Sequence, residues 1–299
     1  MTQLDLNSLN AAVVDSGVDM TKAVAGGIAP AAQGTGTAVL VGYIEVGKHK
    51  RTIKGATKQV DEAILRFELT GPLWQPREVD GVKIPYIIDI KVTRSLNEKA
   101  NFFKLFTRLN YQGKATHVTQ LLGQTYKVKV NHREAKLGEK TLVFAELNNK
   151  ADGFTIYPPR IEVVDEDTGA TTVKEMRINP HVSSLQALLW DKPSMNQWGT
   201  IFIEGEYPAE TNADGSIKKA AKSKNKYQLM CAAAINYEGS PLHAMLAGEG
   251  IQLDIPAPGE DIDDTPPHEE EGEASSTAGT KGSAMAAVKS DDALSDVGA

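Results

Sequence analysis

Cysteine is nearly missing from the chain: among 299 residues only Cys231 carries a thiol. It lies in the apolar stretch Leu229 to Ala234, where a lone thiol reads as a small buried hydrophobe and not as a nucleophile. Together with six histidines it shows no zinc-ligand spacing. Long apolar runs are also lacking: no stretch of about 18 residues could cross a membrane. The N-terminus lacks the basic, apolar and small-residue order of a secretory signal. The expectation is a cytoplasmic protein with no membrane partner. No P-loop, H-E-x-x-H or glycine-rich dinucleotide fingerprint occurs, so neither catalysis nor a cofactor is expected. The acids Asp165, Glu166 and Asp167 adjoin Gly169 and read as turn residues, not as a nuclease metal cluster. Aromatic residues make up only 6%, which leaves few rings beyond those the core requires.

What is present is 41% apolar residues, enough for a substantial core, and a net charge of −7 that is unevenly placed. From Ile251 to the end, twelve acids stand against Lys281 and Lys289, a net −10, so the remainder carries +3. A mildly cationic body joined to an acidic tail draws polyanions to one part of the molecule and repels them from another.

The chain divides into four parts. Residues 1–35, rich in Ala, Gly, Ser and Asn without an apolar period, read as a flexible arm. Residues 36–150 read as strands interrupted by one helix, and 151–250 as an α/β elaboration packed on that core. Residues 251–299, with four prolines, a Glu cluster and no aromatic, cannot bury enough surface to offset chain entropy and read as a disordered acidic tail.

Within the core, Thr37 to Val46 is apolar and β-rich, and Asp61 to Thr70 alternates with Ala63, Leu65, Phe67 and Leu69 on one face. Between them Lys48, His49, Lys50, Arg51, Lys54 and Lys58 mark an exposed basic hairpin or loop. Ile84 to Thr93 is a third strand. Ser95-Leu96-Asn97-Glu98 has the form of a capping box ahead of the helical stripe Phe102, Phe103, Leu105, Phe106 and Leu109. A short helical piece stops at Gly123, and Gln124 to Arg133 alternates Tyr126, Val128 and Val130 with Lys127, Lys129 and Arg133. Thr141 to Leu147 is the fifth strand. Farther on, a hairpin over Phe154 to Ile178, helices at Ser183 to Trp190 and Tyr227 to Asn236, and a strand at Thr200 to Glu206 are expected. A second basic cluster, Lys218 to Lys226, lies in the preceding loop.

Three strands, a helix and two strands follow the order of an OB barrel. The expected fold class is therefore β-rich α+β: a five-stranded OB-type barrel with a helix between strands 3 and 4, a C-terminal α/β elaboration and disordered termini. Within Ser95 to Asn148, the segments Leu96 to Lys99, Phe102 to Phe106 and Leu121 to Arg133 resemble phage-encoded OB-fold proteins that accompany replication and recombination genes. Several of these are thought to coat single-stranded DNA. The resemblance implies a phage origin, single-stranded DNA as partner and the host cytoplasm as location. The tail is similar to the anionic tails by which single-strand-binding proteins recruit replication partners, although it closes on Asp296-Val297-Gly298-Ala299 without the aromatic residue such tails commonly end on.

Coating a single strand takes cations along the phosphate path and flat rings for the bases. The cations expected to serve are Lys48, Lys50, Arg51 and Lys54 in the hairpin, Lys127, Lys129 and Arg133 on the fourth strand, and Lys136 and Lys140 beside it. Alternating lysines also fit a plain solvated sheet face. The candidate rings are Trp74, placed in an exposed loop by Pro72 and Pro76, and Tyr86, with Tyr43 behind them. Two rival readings share the lack of motifs: a phage virion or scaffold component, and a metal-dependent nuclease or recombinase using scattered carboxylates.

Overall fold

The computed structural model describes residues 29–251 and 253, except 54, 80, 138, 139, 165–168, 170, 213 and 220. Most of the expected N-terminal arm, the acidic tail and Lys54 lie outside these residues.

The architecture is β-rich with few helices, centred on one seven-stranded, largely antiparallel sheet. Its strands are β1 (Gly34–Ile53), β2 (Ala56–Thr70), β3 (Ile87–Thr93), β4 (Thr125–Leu137), β5 (Lys140–Glu146), β6 (Ile156–Tyr157) and β7 (Gln186–Leu188). The helices are α1 (Asn101–Leu109), α2 (Met195–Thr200), α3 (Lys226–Ala232) and α4 (Pro241–Gly248). β1 lies centrally, antiparallel to β2 from Thr37 to Ile53 and to β4 along its first six residues, Gly34 to Val39. β3 flanks β2, while β5 and β6 both pair with the far side of β4. Gly34 and Thr35, assigned to the arm by sequence, already belong to β1.

The expected barrel is not closed. The sheet ends at β3 on one side and at β6 on the other, with no strand pairing between them among the described residues. Helix α1 contacts both β3 and β6 across this gap. Its stripe, Phe102, Leu105 and Leu109, joins Leu40, Tyr43, Leu65, Phe67, Tyr126 and Val128 in the first core. The helix therefore covers an opening that further strand pairing would otherwise fill.

A second core occupies the opposite face of β1 and β2. Ile44, Val46 and Ile64 meet Leu188, Trp190, Trp198, Tyr227, Met230 and Leu242 there. Both faces of β1 are thus buried, which is why Ala38 to Val46 reads as a nearly continuous apolar run and not as an alternation. Bulges between Leu40 and Gly42 and between Glu45 and Gly47 bend β1 so that it can serve both cores.

Two buried carboxylates and a half-buried one fasten the C-terminal segment to this sheet. Glu45, 3% exposed, accepts from Tyr43 Oη at 2.9 Å, from Arg94 at 2.9 Å and from the Trp190 backbone N–H at 2.8 Å. Glu68 accepts the backbone N–H groups of Val182 and Ser183 at 2.6 and 2.7 Å. Asp89 takes Arg66 at 2.9 Å, Lys226 at 3.0 Å and the Tyr227 hydroxyl. Each acid satisfies donors that burial would otherwise orphan.

Three local expectations are corrected. The Ser95 to Glu98 capping box does not cap α1: the N-cap is Ala100 without a side-chain bond, and Ser95 and Asn97 instead accept backbone N–H groups within their own turn. Ser183 to Trp190 is no helix. Its centre is β7, parallel to β1, and the helix comes later, at α2. Thr200 to Glu206 is not a strand but the end of α2 and an irregular segment, with Glu206 and Tyr207 alone pairing to Lys222 and Ser223.

Candidate nucleic-acid interface

Alternation along β4 sends Tyr126, Val128 and Val130 into the first core, each at most 1% exposed, and turns Lys127 and Lys129 to the outer face. β6 pairs beside them, with Tyr157 opposite Lys127 and Ile156 opposite Val128. Since Ile156 is buried, Tyr157 shares the lysines' face. Arg108, in the last turn of α1, reaches round this sheet edge and donates to the Phe154 carbonyl. Its guanidinium then lies 5.7 Å from the Tyr157 ring centroid, the same distance as the Lys127 ammonium. Tyr157 is thereby a half-buried ring flanked by two cations, with exposed Lys129 one step along the strand. Farther out, Arg133 stacks on Phe144 at 5.3 Å and pairs with Glu146 at 2.5 Å.

The arrangement brings one aromatic ring and three cations together on one face of the sheet edge. A ring of this kind is what a base stacks on, and cations beside it are what phosphates pair with. No group of three or more His, Cys, Asp or Glu side chains able to hold a metal occurs among the described residues. Cys231 is fully buried, and burial pushes its thiol up, away from the reactive thiolate form.

The other predicted residues are dispersed. Trp74 is not exposed: Pro72 opens a single 3-10 turn that folds the indole inward, where it is 1% exposed and donates Nε1–H to the Ala32 carbonyl at 2.8 Å. It lies against the bare backbone of Gly36, where a Cβ would meet the ring at 2.5 Å. Tyr43 is likewise fully buried; burial and then Glu45 drive its hydroxyl well above the usual tyrosine range. Tyr86 is half-buried against the first core with the Arg77 guanidinium 5.0 Å above its ring. Neither Trp74 nor Tyr43 can receive a base.

Among the hairpin cations, Lys50 is exposed, Arg51 is ion-paired with Glu62, and Lys48 is half-buried at a point where its backbone is held by Asn236 and Ile235. Thr37 is the β1 partner of Lys127, so Lys48 lies eleven residues farther along, roughly 36 Å of extended strand. The two basic clusters therefore belong to different ends of β1 and are not neighbours along it. Lys136 is exposed near the tip of the β4–β5 ribbon, and the Lys140 side chain lies outside the described residues. Of the predicted set, Lys127 and Lys129 share a face with the Tyr157 ring, and Arg133 lies farther along the same strand, paired with Glu146.

Sequence reasoning missed Arg108 and Tyr157. The signal for Tyr157 was available, because Phe154 and Ile156 alternate with Thr155 and Tyr157. Arg108 offered none, since its side chain reaches a carbonyl 46 residues away, at Phe154. Compared with known proteins, the chain matches no family model, no curated protein and no solved structure.

Proposed function

We propose that the chain is a non-catalytic single-stranded DNA-binding protein acting in phage replication or recombination, built on an opened OB-type sheet. The strand order β1-β2-β3, helix, β4-β5 supports the OB reading, with α1 standing in the gap that a closed barrel would seal by pairing. One observation carries the functional reading: Tyr157 between Arg108 and Lys127, both 5.7 Å from its ring, beside exposed Lys129. Ring and cations together are what sequence-independent strand binding needs. The outer face of β1, β2 and β3 is occupied by the chain's own residues 186–251, so the strand path runs over β4 and β6 instead. The resemblance of Ser95 to Asn148 to phage OB-fold proteins supports the biological setting, the host cytoplasm included.

Gel-shift titration with a labelled single-stranded oligonucleotide over a salt series tests the reading. Affinity should fall steeply as salt rises. Tyr157→Ala should weaken binding by about 5- to 150-fold, the loss of one stacked base. Magnesium should leave the strand intact, because no catalytic step is involved. A virion or scaffold role is the second reading, favoured by the ribbon Arg160–Val164 with Thr171–Glu175, which projects Ile161 and Val173 into solvent. A chain that binds no oligonucleotide at any salt would belong to that reading.

A further inference from the structure

We infer that the cavity at the C-terminal end of α1 is a nucleobase pocket, which rests on the strand-binding reading and adds base discrimination to it. After Leu109 the chain turns through Gly113 and returns by a 3-10 turn, Val118–Leu121, to β4. Both ends of this excursion are fixed. Asn110 clamps Ala115 twice, its Oδ1 accepting the Ala115 N–H at 3.0 Å and its Nδ2 donating to the Ala115 carbonyl at 2.7 Å. Gln120 Oε1 accepts the backbone N–H groups of Thr116 at 2.7 Å and His117 at 3.2 Å. A cavity held open by such bonds costs little ordering entropy when it is filled.

The space is about 300 Å³, between Leu109 and Leu121 as apolar walls and Gln112, Gln120, Gln124 and Lys114 as polar ones. That volume is at the small end for ligand sites and suits one ring system. Asn110 and the Gln120 Oε1 are engaged in the loop, whereas the Gln112 and Gln124 carboxamides make only long contacts to Tyr111 and Tyr126, at 3.3 and 3.4 Å. These two offer a donor and an acceptor in one plane, the complement of a base edge, and a leucine wall suits a flat aromatic face. Lys114 supplies a cation for the adjoining phosphate, and none of the lining residues is acidic. A polyanion is therefore not repelled at the mouth.

The position links the pocket to the strand path. Arg108, whose guanidinium lies 5.7 Å from the Tyr157 ring, immediately precedes the pocket wall Leu109 in the last turn of α1. A strand with one base on Tyr157 can deliver a neighbouring base to the cavity. Tyr157 then holds any base, while the carboxamides distinguish among them.

The test uses the full chain, isotope-labelled, with the side-chain amide resonances of Asn110, Gln112, Gln120 and Gln124 followed by NMR. The four uncharged deoxynucleosides are added in turn, with free deoxyribose as control. In parallel, fluorescence anisotropy measures binding of dA, dC and dT homopolymers to the native chain, Gln112→Ala and Gln124→Ala. The expected result is a shift of these amides with at least one nucleoside and none with deoxyribose. Homopolymer affinities should differ by about fivefold or more in the native chain, the lower end of what one bidentate carboxamide contact supplies, and converge in the variants. Unmoved amides with equal homopolymer binding would overturn the pocket and leave strand binding standing. Shifted amides with no oligonucleotide binding would leave the pocket standing and remove the strand-binding reading.

Discussion

Gly47 occupies the left-handed region at φ +84°, and a Cβ there would lie 2.5 Å from the Trp190 ring and 2.7 Å from the Ala234 Cβ. Strain and overlap act together, because both partners belong to the packed second core. Gly47→Ala should lower stability by roughly 2–4 kcal/mol, read as a reduced denaturant midpoint with an unchanged slope. An unaltered midpoint would contradict the close approach. Asp89 makes a different prediction. Burial alone would raise its carboxyl, but Arg66 and Lys226, with hydrogen bonds from Tyr227 and Arg66, outweigh it and hold it below the ordinary value of 3.8. A carboxyl depressed in the folded state adds stability that is complete above about pH 4 and is lost as pH falls through the folded value. Acid titration followed by tryptophan fluorescence should show this loss. Asp89→Asn should remove that part of the transition and cost about 3 kcal/mol at neutral pH by stranding Arg66 and Lys226. An identical acid midpoint in the variant would count against the network.

At the scale of elements, the first half of the fold was legible because local pattern and burial agree there. α1 and β4 show clean periods of 3.6 and two with one buried face each, and β2 keeps its alternating apolar face Ala63, Leu65, Phe67 and Leu69 although Ile64 and Glu68 bury its other face as well. The basic segment after Val46 proved to be the continuation of a long hairpin, since β1 and β2 stay paired to Ile53 and Ala56. What could not be read depends on distant partners. Gln186 to Leu188 becomes a strand because β1 offers a parallel edge and Glu45 accepts the Trp190 N–H. Trp74 is drawn inward by Gly36, 38 residues before it in the chain, and nothing around Pro72 announces that. The site was half legible: alternation revealed Lys127 and Lys129, whereas the ring between the cations is assembled from α1, β4 and β6 together.

For the whole molecule, charge separation is the governing feature. The cationic face lies on one edge of the sheet, and twelve acids lie after Gly250 in the sequence against two lysines. Removing everything after Gly250 should tighten strand binding at low salt and have little effect at high salt, where screening over about 10 Å or less suppresses the competition. Equal low-salt affinity in the truncated chain would argue against any shielding by the acidic segment. The central claim concerns the β4 face itself, and it is tested most directly by the salt dependence of oligonucleotide affinity for Lys127→Glu/Lys129→Glu against the native chain. The predicted result is weaker binding to every sequence and a log–log salt slope shallower by about one unit or more, with the thermal transition retained. Native affinity with a native slope in the folded double variant would contradict it.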